Sequence, residues 1–280
     1  MFTYVFEIFA LESLASQETQ PGANLKQVLH ELIDNHRVFK YTESNNTSWP
    51  DGKKIDVWEA LVWTDESCPA SKPKCMKVHL LYLDKPRAVS LANRGPGKDD
   101  SWEREHVWPK SRGFKASSTH GYTDLHHLRP ADRNINNAHN NYGYYDGAIG
   151  DAGVSEVINK EPEGNIKSGA LLNKDDEWFE PTDAAKGQIA RMLFYMDVRY
   201  DGEDTDKTGM PDLKIVQGNH RVKEPIIGDL CTLLDWNKRY PVHPIEKQRN
   251  NRIEKLQGNR NPFIDYPQFA DLIYGDQCTD

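Results

Sequence analysis

The sequence predicts a single helix-rich α+β domain, and three observations carry that prediction. Apolar residues recur at helical spacing in 25–37, 184–200 and 245–256. Short apolar runs at 57–63 and 78–83 read as strands. Between these regions, 101–145 is dense in histidine, asparagine and arginine and poor in aliphatics. The chain has 280 residues, enough for one large domain that buries roughly three quarters of its unfolded surface and folds without staples.

Residues 1–16 have the apolar weight and small-residue tail of a secretory signal, but they lack a positive start, and Glu7 and Glu12 interrupt the apolar run. An altered or vestigial signal over 1–20 and a plain amphipathic segment are equal readings, and the domain proper is taken as 21–280. In 25–37, Leu25, Val28, Leu29, Leu32 and Ile33 share one helical face. The two strands that follow are separated by a loop that Cys68 and Cys75 enclose, a natural span for a local disulfide. Cys231 and Cys278 would then tie down the last segment. Three pairings of the four cysteines are open, and four unpaired thiols are the alternative. None has the C-x2-C spacing of a zinc site. Disulfides would put the chain outside the cytosol. Residues 92–100 form a breaker-rich loop. Beyond it, 125–128 reads as a short strand, with Pro130 opening a helix and Gly143 closing it. Such a helix carries Asn134, Asn137 and Asn141 on one face. The helices at 184–200 and 245–256 complete the order.

With 43 acidic against 35 basic residues, the chain carries −8, which argues against coating nucleic acid by bulk charge. No run of eighteen apolar residues exists, so no membrane helix is expected. The window 101–145 differs: it holds six basic residues against four acidic ones, and five of the ten histidines. A basic, histidine-rich island in an acidic chain suits an anionic substrate gripped at one place. Within it, Glu105-His106 sets a hard oxygen ligand beside a base that titrates near neutrality. On a strand, the two side chains point to opposite faces, as in-line phosphoryl displacement requires of nucleophile and leaving oxygen. Five asparagines in the eight positions 134–141 are unfavourable in a helix. A carbonyl ligand for a hard cation explains one of them, and capping accounts for most of the rest.

Glu-His-Val-Trp-Pro at 105–109, Asp-Leu-His-His-Leu-Arg-Pro-Ala at 124–131 and the asparagine-rich segment after it resemble the bacterial endonuclease I family of His-Me finger (ββα-metal) nucleases. Further matches, at 179–181, 186–191, 194–196, 236–237, 240–242, Glu246, 249–250 and 257–264, extend the resemblance over about 57–275. It implies an α+β fold around a ββα-metal finger at about 100–145, with His106 as general base and Glu105 and Asn141 holding one Mg2+ ion (Mn2+ or Ca2+ as alternatives). Asn141 is preferred over Asn137 and Asn140 because an aromatic residue, Tyr142, follows it. Some members carry arginine where this chain has His139. Some also place a phosphate-binding arginine in a long insertion that 114–123 lacks. Arg129 then stands as the catalytic arginine, with Arg112, Arg133, Arg191 and Lys110 as substrate-binding candidates. The implied protein is a secreted or periplasmic monomer that hydrolyses DNA, with RNA open, largely without sequence readout. Two alternatives stand beside it: a nuclease of this fold restricted to RNA or single strands, and a catalytically silent nucleic-acid-binding protein. The intact Glu105, His106 and Asn141 set argues against the silent binder, and the lack of H-x3-H spacing argues against a zinc hydrolase.

Elsewhere the plainer readings prevail. Residues 204–215 lack the glutamate a calcium loop needs at its twelfth position, where Ile215 stands. Glu180 reads as a helix-entry carboxylate, and 259–265 as a structural clasp. The sequons at Asn45 and Asn46 are weak hints only.

Overall fold

The computed structural model describes residues 22–42, 55–68, 75–95, 98–161, 164–202, 207–218 and 224–278. The 1–20 segment and both sequons lie outside these residues, as does the acidic 203–206 stretch.

Helix α1 (Gly22–Ile33) buries Leu25, Leu29 and Ile33, three residues of the predicted face. The next element departs from expectation: Val57–Thr64 is helix α2, not a strand. The reason is local. Asp56 accepts from the Trp58 backbone N–H at 2.8 Å, while Glu59 reaches back to the Asp56 N–H at 3.0 Å. This capping box satisfies two donors at the helix start, and an apolar run of eight residues otherwise suits either conformation. Strands β1 (Lys77–Leu80) and β2 (Lys85–Ala88) pair antiparallel around a turn at 81–84, so only the first half of 78–83 is extended.

Strand β3 (Trp102–His106) pairs antiparallel with β4 (Leu128–Asp132). The predicted strand at 125–128 thus lies further along the chain. Pro130 sits inside β4, opposite Arg104, and its carbonyl accepts from the Leu81 N–H at 3.0 Å. Helix α3 (Arg133–His139) starts after Asp132, whose carboxylate caps the Asn134 and Ile135 N–H groups. It stops at Asn140, which adopts φ +55, so Asn141 lies past the helix and Gly143 opens strand β5 (Gly143–Tyr144) instead of closing α3. Strands β6 (Val154–Glu161), β7 (Gly164–Asn173) and β8 (Trp178–Glu180) complete a four-stranded sheet in the order β5-β8-β7-β6.

Helix α4 (Asp183–Arg199) is the mast of the molecule, buried from Ala185 onward. Strands β9 (Lys214–Ile215) and β10 (Ile226–Ile227) form a short parallel pair. Helices α5 (Leu230–Arg239), α6 (Pro244–Gln257), α7 (Pro262–Asp265) and α8 (Phe269–Tyr274) close the fold. The main core joins α1, α4, α5 and α8 to the walls of β3 and β8. A second cluster sets Val57 and Leu61 of α2 against Ile253 and Leu256 of α6 and Leu128 of β4. The 259–265 clasp is real: Asn259 donates to the Ile33 carbonyl and the Tyr195 hydroxyl, and Asn261 to the Arg191 carbonyl. Two disulfides, Cys68–Cys75 and Cys231–Cys278, realise the local-plus-tail pairing. The architecture is α+β, and no helix among the described residues is long and apolar enough to cross a membrane.

Candidate active site

Strand β3 carries the site. Its end opens into a cleft of about 390 Å3 lined by Tyr41, Arg104, Glu105, His106, Lys110 and Asn141, among others. Tertiary structure therefore brings together four of the predicted residues: Glu105, His106, Asn141 and Lys110.

The His106 Nε2 lies 2.9 Å from the Tyr122 carbonyl oxygen. A carbonyl only accepts, so Nε2 carries the proton and Nδ1 carries the lone pair. Burial, reinforced by His127, pushes the His106 pKa well below the usual histidine value, which keeps the ring neutral. The neighbouring carbonyl, that of Gly121, accepts from His127 Nε2 at 2.6 Å, so successive carbonyls of one turn hold two histidines. His126 donates to the Asn259 carbonyl at 3.2 Å and belongs to the core.

Glu105 is buried, and its Oε1 accepts from the Tyr82 hydroxyl at 2.6 Å and from His139 Nδ1 at 2.7 Å. Burial and the nearby Glu105 charge push the Tyr82 pKa well above the usual tyrosine range, so its hydroxyl remains a donor. Tyr144 backs this network: its hydroxyl stands 3.2 Å from that of Tyr82 and donates to the Val107 carbonyl, while its ring stacks on His139. His139 is thus enclosed behind Glu105, where it cannot reach a phosphate. The second carboxylate oxygen, Oε2, makes no hydrogen bond among the described residues, and neither does the Asn141 side chain. Two hard oxygen donors therefore face one cleft, which fits a divalent cation with water in its remaining positions. No group of three or more His, Cys, Asp or Glu side chains is placed to hold a metal among the described residues.

The arginines are a correction. Arg129 is buried and forms an ion pair with Asp65 at 2.7 Å and a hydrogen bond with Gln188 at 2.8 Å. Arg191 clasps Glu246 with Nε at 2.9 Å and Nη2 at 2.8 Å. Neither lines the cleft: Arg191 neutralises buried Glu246, and Arg129 shares buried Asp65 with Arg249, whose Nε lies 3.0 Å from it. Arg112 is buried and serves indirectly, since its Nε donates to the Asn141 carbonyl at 2.9 Å and fixes the backbone of that residue. Arg133 pairs with Glu103 at 3.4 Å. Glu180 accepts from Lys186 and from the Gly147 N–H, a structural role. Sequence reasoning missed Tyr82, whose apolar run offered no cue. It also missed Arg104, which the period of two along β3 places on the His106 face.

The endonuclease I model matches residues 21–268 of this sequence. The chain belongs to the endonuclease I family. As a member of that family it is a nuclease, a hydrolase of phosphodiester bonds. It is 41% identical over 258 residues to the "Extracellular ribonuclease" of Bacillus subtilis (strain 168), covering 92% of this chain and 76% of that protein. It is 42% identical over 254 residues to the "Extracellular ribonuclease" of Bacillus amyloliquefaciens, covering 90% and 74%. The "Periplasmic deoxyribonuclease" of Aeromonas hydrophila is 29% identical over 261 residues, covering 90% and 88%. With two disulfides and relatives of this kind, this endonuclease I family member is of the secreted or periplasmic type.

Proposed function

We propose that the chain is a divalent-metal-dependent, largely sequence-nonspecific endonuclease, folded as one domain over 21–280 around a ββα-metal (His-Me) finger made of β3, β4 and α3. It hydrolyses phosphodiester bonds of DNA and RNA, leaving 5′-phosphate and 3′-hydroxyl ends, and acts as a monomer. The observation that carries this reading is the tether of His106 Nε2 to the Tyr122 carbonyl, which leaves Nδ1 as a base beside Glu105 and Asn141.

In this reading, His106 Nδ1 takes the proton of the attacking water. Neutrality at working pH is the state a base requires, and burial supports it. Glu105 and Asn141 would hold the cation, Mg2+ in the first instance, which when bound would supply charge neutralisation at the leaving 3′-oxygen. Tyr82 and His139 fix the Glu105 carboxylate, and Arg112 fixes Asn141. A site that grips phosphate and sugar reads no bases.

RNA is a full substrate in this reading, because two relatives above 40% identity bear the name ribonuclease, while a relative at 29% bears the name deoxyribonuclease. The test is cleavage of supercoiled plasmid and of RNA, each with Mg2+ and with EDTA, by wild type and His106→Ala. Metal-dependent cleavage that falls roughly 10²–10⁴-fold in the variant is the expected result. Absence of cleavage by wild type with any divalent metal would refute the reading, and tight binding without cleavage would favour a silent binder.

A further inference from the structure

With Arg112, Arg129, Arg133 and Arg191 outside the cleft lining, Arg104 and Lys110 are its cationic side chains among the described residues. Lys110 donates to the Tyr122 hydroxyl at 3.2 Å. Arg104 forms no ion pair among the described residues, and the adjacent Glu103 is occupied by Asn93, Asn136 and Arg133. The cleft therefore contains an arginine without a carboxylate partner, in a chain with an excess of carboxylates.

The Arg104 guanidinium is held flat. It lies 3.4 Å from the Tyr41 ring centroid and 4.2 Å from that of Trp58. Nη1 donates to the Tyr41 carbonyl, and both Nη atoms donate to Thr42 Oγ1 at 3.3 Å. Those bonds use three of the five guanidinium protons. The two left, on Nε and Nη2, lie side by side on one edge. That is the edge with which Arg191 clasps Glu246 in two parallel bonds. A planar, pre-oriented fork of this kind matches a phosphate.

Position gives the fork its target. Arg104 and His106 are two residues apart on β3, hence on one face and about 6.6 Å apart along the strand. The Tyr41 ring touches both, lying 5.7 Å from the His106 ring, which confirms the shared face. A separation of that size is about one nucleotide of an extended strand. Resting on the nuclease reading above, which sets the scissile phosphate at His106, we propose that Arg104 is a substrate-binding residue that grips the phosphate adjacent to the scissile one. The enzyme then needs a neighbouring phosphate as well as the one it attacks, and favours oligonucleotides over a single phosphodiester.

The test measures binding of a labelled short single-stranded oligonucleotide with Mg2+ present, in a His106→Ala background that prevents cleavage. Arg104→Ala is expected to weaken binding roughly 10- to 100-fold, the worth of a charge-assisted bidentate pair. It should also reduce the slope of log K against log salt by about 0.7, one phosphate contact on a single strand. Replacing one flanking phosphate by a methylphosphonate should cost the parent a similar factor and cost Arg104→Ala nothing more. Arg104→Lys should keep the salt slope and recover only part of the affinity. An unchanged slope in Arg104→Ala, or undiminished sensitivity to methylphosphonates on both flanks, overturns the proposal. If loss of the Tyr41–Trp58 stack unfolds Arg104→Ala, Arg104→Met, which keeps the alkyl stem, decides by the same criteria. Failure of wild type to cleave any polymer refutes the nuclease reading. A wild type that cleaves while Arg104 variants bind as the parent refutes this inference alone.

Discussion

Tyr82→Phe isolates one of the two bonds that aim Glu105. The ring stays, with its edge-on contact to Phe179 at 5.2 Å, and only the hydroxyl is lost. That hydroxyl donates to Glu105 Oε1 at 2.6 Å, in a buried site where the second donor, His139, stands at 2.7 Å. A hydrogen bond to a charged group is worth about 1.5–3 kcal/mol, so a midpoint drop of roughly 3–10 °C is expected for a chain of this size. If Glu105 holds the cation, removing a partner that orients it should also raise the Mg2+ concentration for half-maximal cleavage by about 10- to 100-fold. The assay is an Mg2+ titration of plasmid nicking beside a thermal melt, for wild type, Tyr82→Phe and Tyr144→Phe. Tyr144→Phe is the control: it removes a hydroxyl one bond further from Glu105, which leaves both direct donors in place, and should shift the metal requirement less. A destabilised Tyr82→Phe with an unchanged Mg2+ requirement would refute the assignment of Glu105 as a ligand aimed by Tyr82.

Arg191→Met should lower stability by about 3–5 kcal/mol, since it strands the buried Glu246, yet leave KM unchanged at a temperature where the variant is folded; a raised KM would return Arg191 to the substrate site. Acid should destabilise the fold through its buried neutral histidines. Burial lowers His36 to about 4 and His126 to about 3, so the unfolded chain takes up protons that the folded one refuses as pH falls below about 6.5. Each histidine then costs about 1.4 kcal/mol per pH unit until its folded pKa is reached, and urea unfolding at pH 7 and pH 5 that gave equal stabilities would contradict this. Reduction should act unequally: Cys231–Cys278 closes 47 residues and contributes about 4 kcal/mol by loop entropy, against about 2 for the seven residues of Cys68–Cys75. Thermal melts of Cys231→Ser and Cys68→Ser should rank in that order.

Local chemistry made much of this protein readable from its residues. The helical period of 184–200 anticipates α4, because a helix buried on nearly every side must be apolar where it meets its neighbours. Adjacent Glu105 and His106, in a basic island of an acidic chain, mark the cleft, because neighbours at the end of one strand both reach its opening. The capping box at Asp56 and Glu59 was also present in the sequence and outweighs the β-like look of 57–63. Tertiary structure decided the rest. Whether an arginine meets a phosphate or a carboxylate depends on partners far along the chain: Asp65 lies 64 positions before Arg129, and Glu246 lies 55 after Arg191. No local pattern encodes such a meeting. The aim of Glu105 is equally non-local, fixed by Tyr82 from one side in sequence and His139 from the other. The short helix α3 ends where Asn140 takes a left-handed turn, and that turn delivers Asn141 to the cleft from outside the helix. The sequence by itself determined which chemistry the chain carries. Only the folded chain determined which charges remain free to use it, because buried carboxylates such as Asp65 and Glu246 take arginines that the sequence alone leaves unassigned.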